Sequence, residues 1–420
     1  MDDTDSPGPE PSPSEIGERV QTIRRRRGLG LDTAAGLAGI TKSYLSMLER
    51  GQRRFERRGL LEDIARALGC SVADLTGQPY LPGDRASADA LATLPGISVA
   101  LYDATLDDVP DMPARPLRDL VDRVARANEH TAHSRYGAAG RDLGALLTDL
   151  HVHAVTGNGD DRRIALAALA EACVVACGVA RSLGSMDLAV TAAARGQDAA
   201  RRLQSPAVAG FTAMTSTGAL SRLGARHRAQ RVAAVALNEL LDTADPTAPD
   251  TATAEAAGML HLSSAQMAAK SGRAWDAAAH LVEAAEFAER TGERNTLWFS
   301  FGPANVRAWA LSVAVESGDG PAEAERIEAT PGYADALTAA DRRAALHFDL
   351  ARAYGQAGGA RDAAALRHLD TADRIAPQRI RHDPVARELL VELDHRARVR
   401  AWELKSLKNR LGVRSQIVNG

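Results

Sequence analysis

The sequence predicts an all-α protein in which a five-helix N-terminal head is joined to a long αα-solenoid. Three observations carry this. Long stretches of the 420 residues are built on Ala, Leu, Arg and Glu, with only 4% aromatics, and those side chains lose little rotamer freedom in a helix. From Ile16 onward, apolar residues recur at spacings of three and four over most of the chain, the period of an amphipathic helix. Glycines punctuate the second half at Gly184, Gly224, Gly272, Gly318 and Gly358, which are 40, 48, 46 and 40 residues apart. Each glycine lies between two apolar-periodic segments, a rhythm that marks stacked helical hairpins.

Length and charge divide the chain. At ~100–200 residues per domain, two or three domains are expected. Residues 1–13 carry four acids, no base and several prolines, and read as a disordered acidic arm. This start has neither the basic residues nor the apolar core of a signal peptide. No run approaches the ~18 apolar residues that span a bilayer, so a cytoplasmic location without a membrane partner is expected. Residues 14–77 hold Lys42 and eleven Arg against eight acids, a local charge of +4 within a net charge of −3. Cys70, Cys173 and Cys177 suit a reducing compartment. Cys173 and Cys177 share a helix face, but no further ligand completes a metal site. Buried small hydrophobes are the better reading.

The head reads element by element. Ser14 is placed to cap a first helix with Ile16, Val20 and Ile23 on one side, and Gly28 to stop it. A second short helix runs from about Leu31 to Ala38 and ends at Gly39. Thr41 can cap a third, Lys42 to Arg50, with Gly51 behind it. Leu60, Leu61, Ile64 and Leu68 line a fourth, and Ser71 caps a last turn. Two helices joined by a tight Gly-containing turn, the second capped by Thr, form a helix-turn-helix arrangement.

The stretch "GLGLDTAAGLAGITKSYLSMLERGQRR" resembles the xenobiotic-response-element (XRE) family, which includes the phage repressors and Cro. Leu29, Ala35, Ala38, Gly39, Ile40, Thr41, Leu45, Ser46, Leu48, Glu49 and Gly51 match or substitute closely. The resemblance covers roughly residues 15–77 and implies a lambda-repressor-like domain that binds double-stranded DNA. It puts Lys42, Ser43 and Met47 at base-reading positions, where Lys42 can donate to guanine and Met47 can touch a thymine methyl. Thr41, Tyr44, Ser46, Arg50, Arg53 and Arg54 are the expected phosphate contacts, with Glu49 holding the turn. Gly30 and Leu31 depart from the family's cap and phosphate-binding Gln, which weakens the first helix of the pair as a clamp. Arg24 to Arg27 point in all directions around a helix. They are open to two readings, phosphate contact or a solvated helix end.

Residues 78–116 contain six prolines and read as a linker, with "ISVALYDA" inside it as a short strand or a docked segment. Residues 117–394 read as helical hairpins. The units beginning at Ser263 and Phe348 share small residues, a Gly turn, then Asp-Ala-Ala-Ala and a second amphipathic helix. They resemble tetratricopeptide (TPR) repeats, and the combination with the head resembles large actinobacterial XRE regulators. Residues 395–420 form a basic tail, with Trp402, Leu404, Leu407 and Leu411 in a partial stripe. It is read first as a cap of the solenoid, with a subunit or DNA contact as alternatives.

"NTLWFSFGPANV" gathers aromatics in a chain poor in them. Trp298, Phe299 and Phe301, with Arg294, Asn295, Asn305, Arg307 and Trp309 as rim, form the candidate ligand pocket. The competing reading puts these rings in the core between two repeats. No Walker loop, dinucleotide fingerprint, His-Glu-x-x-His or triad arrangement is found, so neither enzyme activity nor a cofactor or metal is expected. The sequence therefore predicts a homodimeric DNA-binding regulator reading a palindromic operator, with a body that senses a peptide or small molecule. The alternative is a body that serves as scaffold for a protein partner.

Overall fold

A computed structural model describes residues 15–397 and 402–413, all helix and loop with no strand among them. The Ser14 cap and the acidic arm lie outside the described residues.

The head consists of α1 (Glu15–Arg26), α2 (Leu31–Ala38), α3 (Lys42–Glu49), α4 (Arg58–Leu68) and α5 (Val72–Thr76). Ile16, Val20, Ala35, Leu45, Leu48, Phe55, Leu61, Ile64, Leu68 and Leu75 fill its core. The boundaries follow the capping signals. Gly39 and Gly69 take left-handed conformations at the ends of α2 and α4, and Ser71 with Asp74 closes a capping box at α5.

The expected linker contains two helices, α6 (Arg85–Leu91) and α7 (Leu94–Asp103), so the strand alternative for "ISVALYDA" is overturned. Pro95 sits in the first turn of α7, where its missing N–H costs nothing, and Ile97 and Leu101 are buried. This segment docks on the body, with Gly144 leaving room for the Gly96 carbonyl.

The body comprises α8 (Leu117–Ala132), α9 (Tyr136–Gly140), α10 (Leu143–Thr156), α11 (Gly159–Ser182), α12 (Met186–Leu203), α13 (Pro206–Leu223), α14 (Arg226–Leu241), α15 (Ala252–Lys270), α16 (Ala274–Thr291), α17 (Pro303–Ser317), α18 (Gly320–Glu328), α19 (Ala340–Ala357), α20 (Asp362–Ile375), α21 (Pro377–Arg381), α22 (Pro384–Arg396) and α23 (Trp402–Leu411). All five punctuating glycines have positive φ, a conformation L-residues avoid. Neighbouring helices pack pairwise, and α11, α13, α15, α17 and α19 also pack on one another in sequence. They form an inner row, with α12, α14, α16, α18 and α20 outside. The row closes on its own beginning: α19 packs on α8, and Asp341 at the start of α19 lies against Ser134 and Tyr136.

Two further expectations need correction. α11 is long and apolar enough to cross a membrane, with mean hydropathy 1.9 over its best window, contrary to the sequence reading that no such run exists. Apart from the exposed Ile164 near its start, its apolar side chains pack mainly against α8, α10, α12 and α13, as suits the central helix of a helical stack. In the tail, α23 buries Leu404, Leu407 and Leu411 while Trp402 is exposed. Lys408 pairs with Asp394, and Arg410 with Asp370 and Asp373.

Candidate nucleic-acid interface and ligand cavity

The α3 helix begins at Thr41, whose hydroxyl accepts from the Tyr44 amide at 3.2 Å. Leu45 and Leu48 anchor it inward. Thr41, Lys42 and Ser43 are exposed together at its N-terminal end, and Tyr44, Ser46 and Met47 are half-buried. Arg50 and Arg53 are exposed, with Arg50 Nε donating to the Ser46 carbonyl at 3.3 Å. Arg54 is different. Only 3% of it is accessible, and it pairs with Glu392 of α22 at 3.2 Å. It therefore belongs to the seam with the body and is withdrawn as a phosphate contact.

The Arg run divides in the same way. Arg24 is buried and donates to both carboxylate oxygens of Glu49, at 2.6 and 2.7 Å, and to the Leu29 carbonyl. This bidentate pair fixes the end of α3 to α1, so Glu49 does hold the turn. Arg27 donates to the Gly69 carbonyl at 2.6 Å. Arg25 and Arg26 remain exposed.

Sequence reasoning missed the seam between head and body. Gly59, inside α4, lets α15 pass closely, since a Cβ there would lie 3.1 Å from the Lys270 carbonyl oxygen. Glu62 of α4 takes Arg226 at 2.8 Å and Lys270 at 2.6 Å. Arg58 pairs with Asp383 at 2.5 Å. Glu316, at the end of α17, accepts from the backbone amides of Arg58 and Gly59 and binds Arg352 at 2.6 Å. Neighbouring cations hold its carboxyl down at about 2 against the upward push of burial. The signals available in the sequence were faint: α4 starts without a side-chain cap, and Glu316 closes an otherwise apolar turn.

Inside the inner row lies a cavity of about 220 Å³. Trp298, Phe299, Asn305 and Trp309 line it, as the sequence suggested, joined by Met214 and Met259. Phe301 is instead fully buried against Gly258, where a Cβ would lie 2.1 Å from its ring. For that residue the core reading holds. Arg294, Asn295 and Arg307 are exposed and do not line the cavity. Arg294 and Asn295 brace the loop: Arg294 donates to the Thr291 carbonyl, and the Asn295 side-chain Oδ1 accepts from the Ser300 amide at 2.8 Å. Within that loop Trp298 and Ser300 have positive φ, a strained conformation that surrounding contacts must hold. Trp298 Nε1 donates to Glu171 at 3.3 Å, and Phe299 packs on Phe211 with ring centroids 4.7 Å apart. Burial pushes the Glu171 carboxyl up from its ordinary value.

Cys173 and Cys177 sit in the core of α11, where burial pushes both thiols up, Cys177 to about 11. No cluster of three or more His, Cys, Asp or Glu side chains that could hold a metal occurs among the described residues.

Comparison with known proteins bears on the head. Residues 15–76 match the family model described as a helix-turn-helix domain. The HTH-type transcriptional regulator SinR of Bacillus subtilis (strain 168) is 34% identical over 65 residues, covering 16% of this chain and 59% of that protein. SinR of Bacillus licheniformis is 35% identical over 63 residues, covering 15% and 57%. The chain thus spans somewhat more than half the length of the curated relatives it matches. No solved structure matches it.

Proposed function

We propose that this protein is a sequence-specific DNA-binding transcriptional regulator whose helical body senses a small effector and supports dimerisation. The observation that carries the reading is the exposed N-terminal end of α3. Thr41, Lys42 and Ser43 are solvent-facing on a helix-turn-helix head, while docking to the body uses α4 and the segment before it. The groove-reading side thus stays clear with the head seated. The relatives' description as transcriptional regulators supports the same reading.

Lys42, Ser43 and Met47 then read base edges, and Thr41, Tyr44, Ser46, Arg50 and Arg53 grip phosphates. One head reaches few base pairs, so two heads on a palindrome about one helical turn apart give the needed specificity. The location is then cytoplasmic, where the operator lies, and the role is binding without a catalytic step. A cavity walled by Trp298, Phe299 and Trp309 inside the inner row favours a small effector, whereas a scaffold uses the broad concave face of a solenoid. The body would act in the manner of a tetratricopeptide-like sensor: an effector that favours one arrangement of the inner row shifts the seat of the head.

The test is DNA binding by the full chain, with sedimentation to give its oligomeric state. Lys42→Ala and Ser43→Ala are expected to abolish sequence preference while leaving the dimer intact. A monomer, or an unchanged preference in both variants, contradicts the proposal.

A further inference from the structure

We infer that the cavity in the body is a binding site for a small organic anion whose acidic group sits on Arg181 and Arg222, with its apolar part against Trp298, Phe299 and Trp309. This rests on the sensing role proposed above and names the chemical class of the effector.

The argument begins with the charges of the wall. Its other cations are matched: Arg58 by Asp383, Lys270 by Glu62, and Arg342 and Arg379 by Asp341. Of its acids, Asp341 is held by those two arginines and Asp349 by Arg352. Arg181 and Arg222 remain. Neither has a hydrogen-bond acceptor or an ion-pair partner among the described residues, yet both line the cavity. Burial, then the guanidiniums of Arg58 and Arg181, push Arg222 far down from its ordinary value, with Asp383 acting the other way. Both guanidiniums are half-buried; a partly desolvated cation without a partner is costly, and an incoming carboxylate or phosphate would lower that cost. Gly218 clears space for the group, because a Cβ there would lie 3.1 Å from Arg181 Nη1.

Size and shape set the rest. A cavity of about 220 Å³ exceeds the ~150 Å³ that holds benzene in an engineered apolar site. That size suits a small aryl or alkyl anion better than a long peptide. A wall that combines Trp298, Phe299 and Trp309 with two guanidiniums asks for an amphipathic molecule, such as an aryl or alkyl acid.

The position links the site to the head. Arg181 and Arg222 also line a second cavity of about 70 Å³ that contains Leu61 and Val72 of the head and His382 and Asp383 of the body. The two arginines stand in the partition between effector and seam. Asp383 is the carboxylate acting on Arg222 and the partner of Arg58 at the start of α4. An anion on Arg222 offsets the repulsion between Arg222 and Arg58 and so steadies the Arg58–Asp383 pair that seats the head.

The experiment uses the full chain without DNA, so that it stands apart from the regulatory reading. Thermal unfolding and tryptophan fluorescence are followed with 2-naphthoate and naphthyl phosphate, and with neutral 2-naphthamide as control. The expected result is a rise in melting temperature and a change in emission with the anions alone, lost in Arg181→Gln and Arg222→Gln. Arg222→Met is measured without any ligand as well. The proposal expects its melting temperature to hold or rise, since a function-driven charge is removed. A sharp fall would show that Arg222 is a structural cation, and equal responses to acid and amide would show no anion site; either overturns the inference. If anions bind but leave DNA affinity unchanged, the site stands and the sensing role falls.

Discussion

Glu316 of the body caps helix α4 of the head: its two carboxylate oxygens accept from the Arg58 and Gly59 amides, each at 3.3 Å. The first turn of a helix leaves amides without intrahelical partners, and α4 has no side-chain cap of its own. A residue more than 250 positions away in sequence supplies it. The favourable interaction of an anion with a helix N-terminus thus ties the helix-turn-helix head to the body.

Removing that tie should cost both units. Glu316→Ala leaves Arg352 with Asp349 and the Glu56 carbonyl, and α4 uncapped. Breaking a buried pair costs ~3–5 kcal/mol, and the surviving Asp349 contact puts the expected loss near the lower end. Urea unfolding of the full chain measures it, and limited proteolysis should show cleavage in residues 77–84 appearing with the substitution.

Lys42 and Arg54 should separate cleanly. Lys42 is exposed and Arg54 is buried against Glu392. Lys42→Ala is expected to lower operator affinity by ~1–3 kcal/mol with no change in melting temperature. Arg54→Ala should lower the melting temperature while leaving the salt dependence of DNA binding as it is, because no phosphate contact is lost. Binding isotherms at several salt concentrations, beside thermal melts, read both.

Acid should destabilise the protein in two stages. Burial holds His382 down at about 4, with Arg387 and Arg381 acting the same way and Asp84 opposing. The unfolded chain then binds a proton near pH 6.5 that the folded one refuses. The stability held above pH 6.5 is lost as pH falls from there to about 4, by roughly 3 kcal/mol for this one group. Glu316, at about 2 when folded, adds a second loss between about pH 4.5 and 2. Denaturation free energies across pH 3–8 should show the first slope reduced but not abolished in His382→Gln, because burial holds His261 and His347 down to about 4 as well.

Thiol chemistry should follow burial. Cys70 is half-exposed, and Cys173 and Cys177 are fully buried. Under native conditions a disulfide reagent is expected to modify one thiol quickly and the other two only at the unfolding rate. Peptide mapping of the fast adduct should return Cys70.

What the sequence made legible was local. Caps, turn glycines and apolar stripes are decided by neighbours a few residues away, and Thr41, Ser71 and the five body glycines took the predicted roles. The pair of Trp298 and Phe299 was legible as part of a cavity wall because aromatics are scarce. The rest depended on partners distant in sequence. Arg54 looks like any basic residue after a reading helix until Glu392 arrives beside it. Phe301 looks like its neighbours until Gly258 opens a slot for it. The "ISVALYDA" segment alternates like a strand, and only Pro95 hinted at a helix start. Arg181 and Arg222 carry no local pattern at all, since their meaning lies in the partner they lack.

The measurement that tests the central claim most directly is selection of random duplex DNA by the full-length protein at physiological salt, with Lys42→Ala, Ser43→Ala in parallel. The account predicts a palindrome enriched by the native chain, with half-sites about one helical turn apart, and lost in the double variant. No enrichment, or the same enrichment in both, would contradict it.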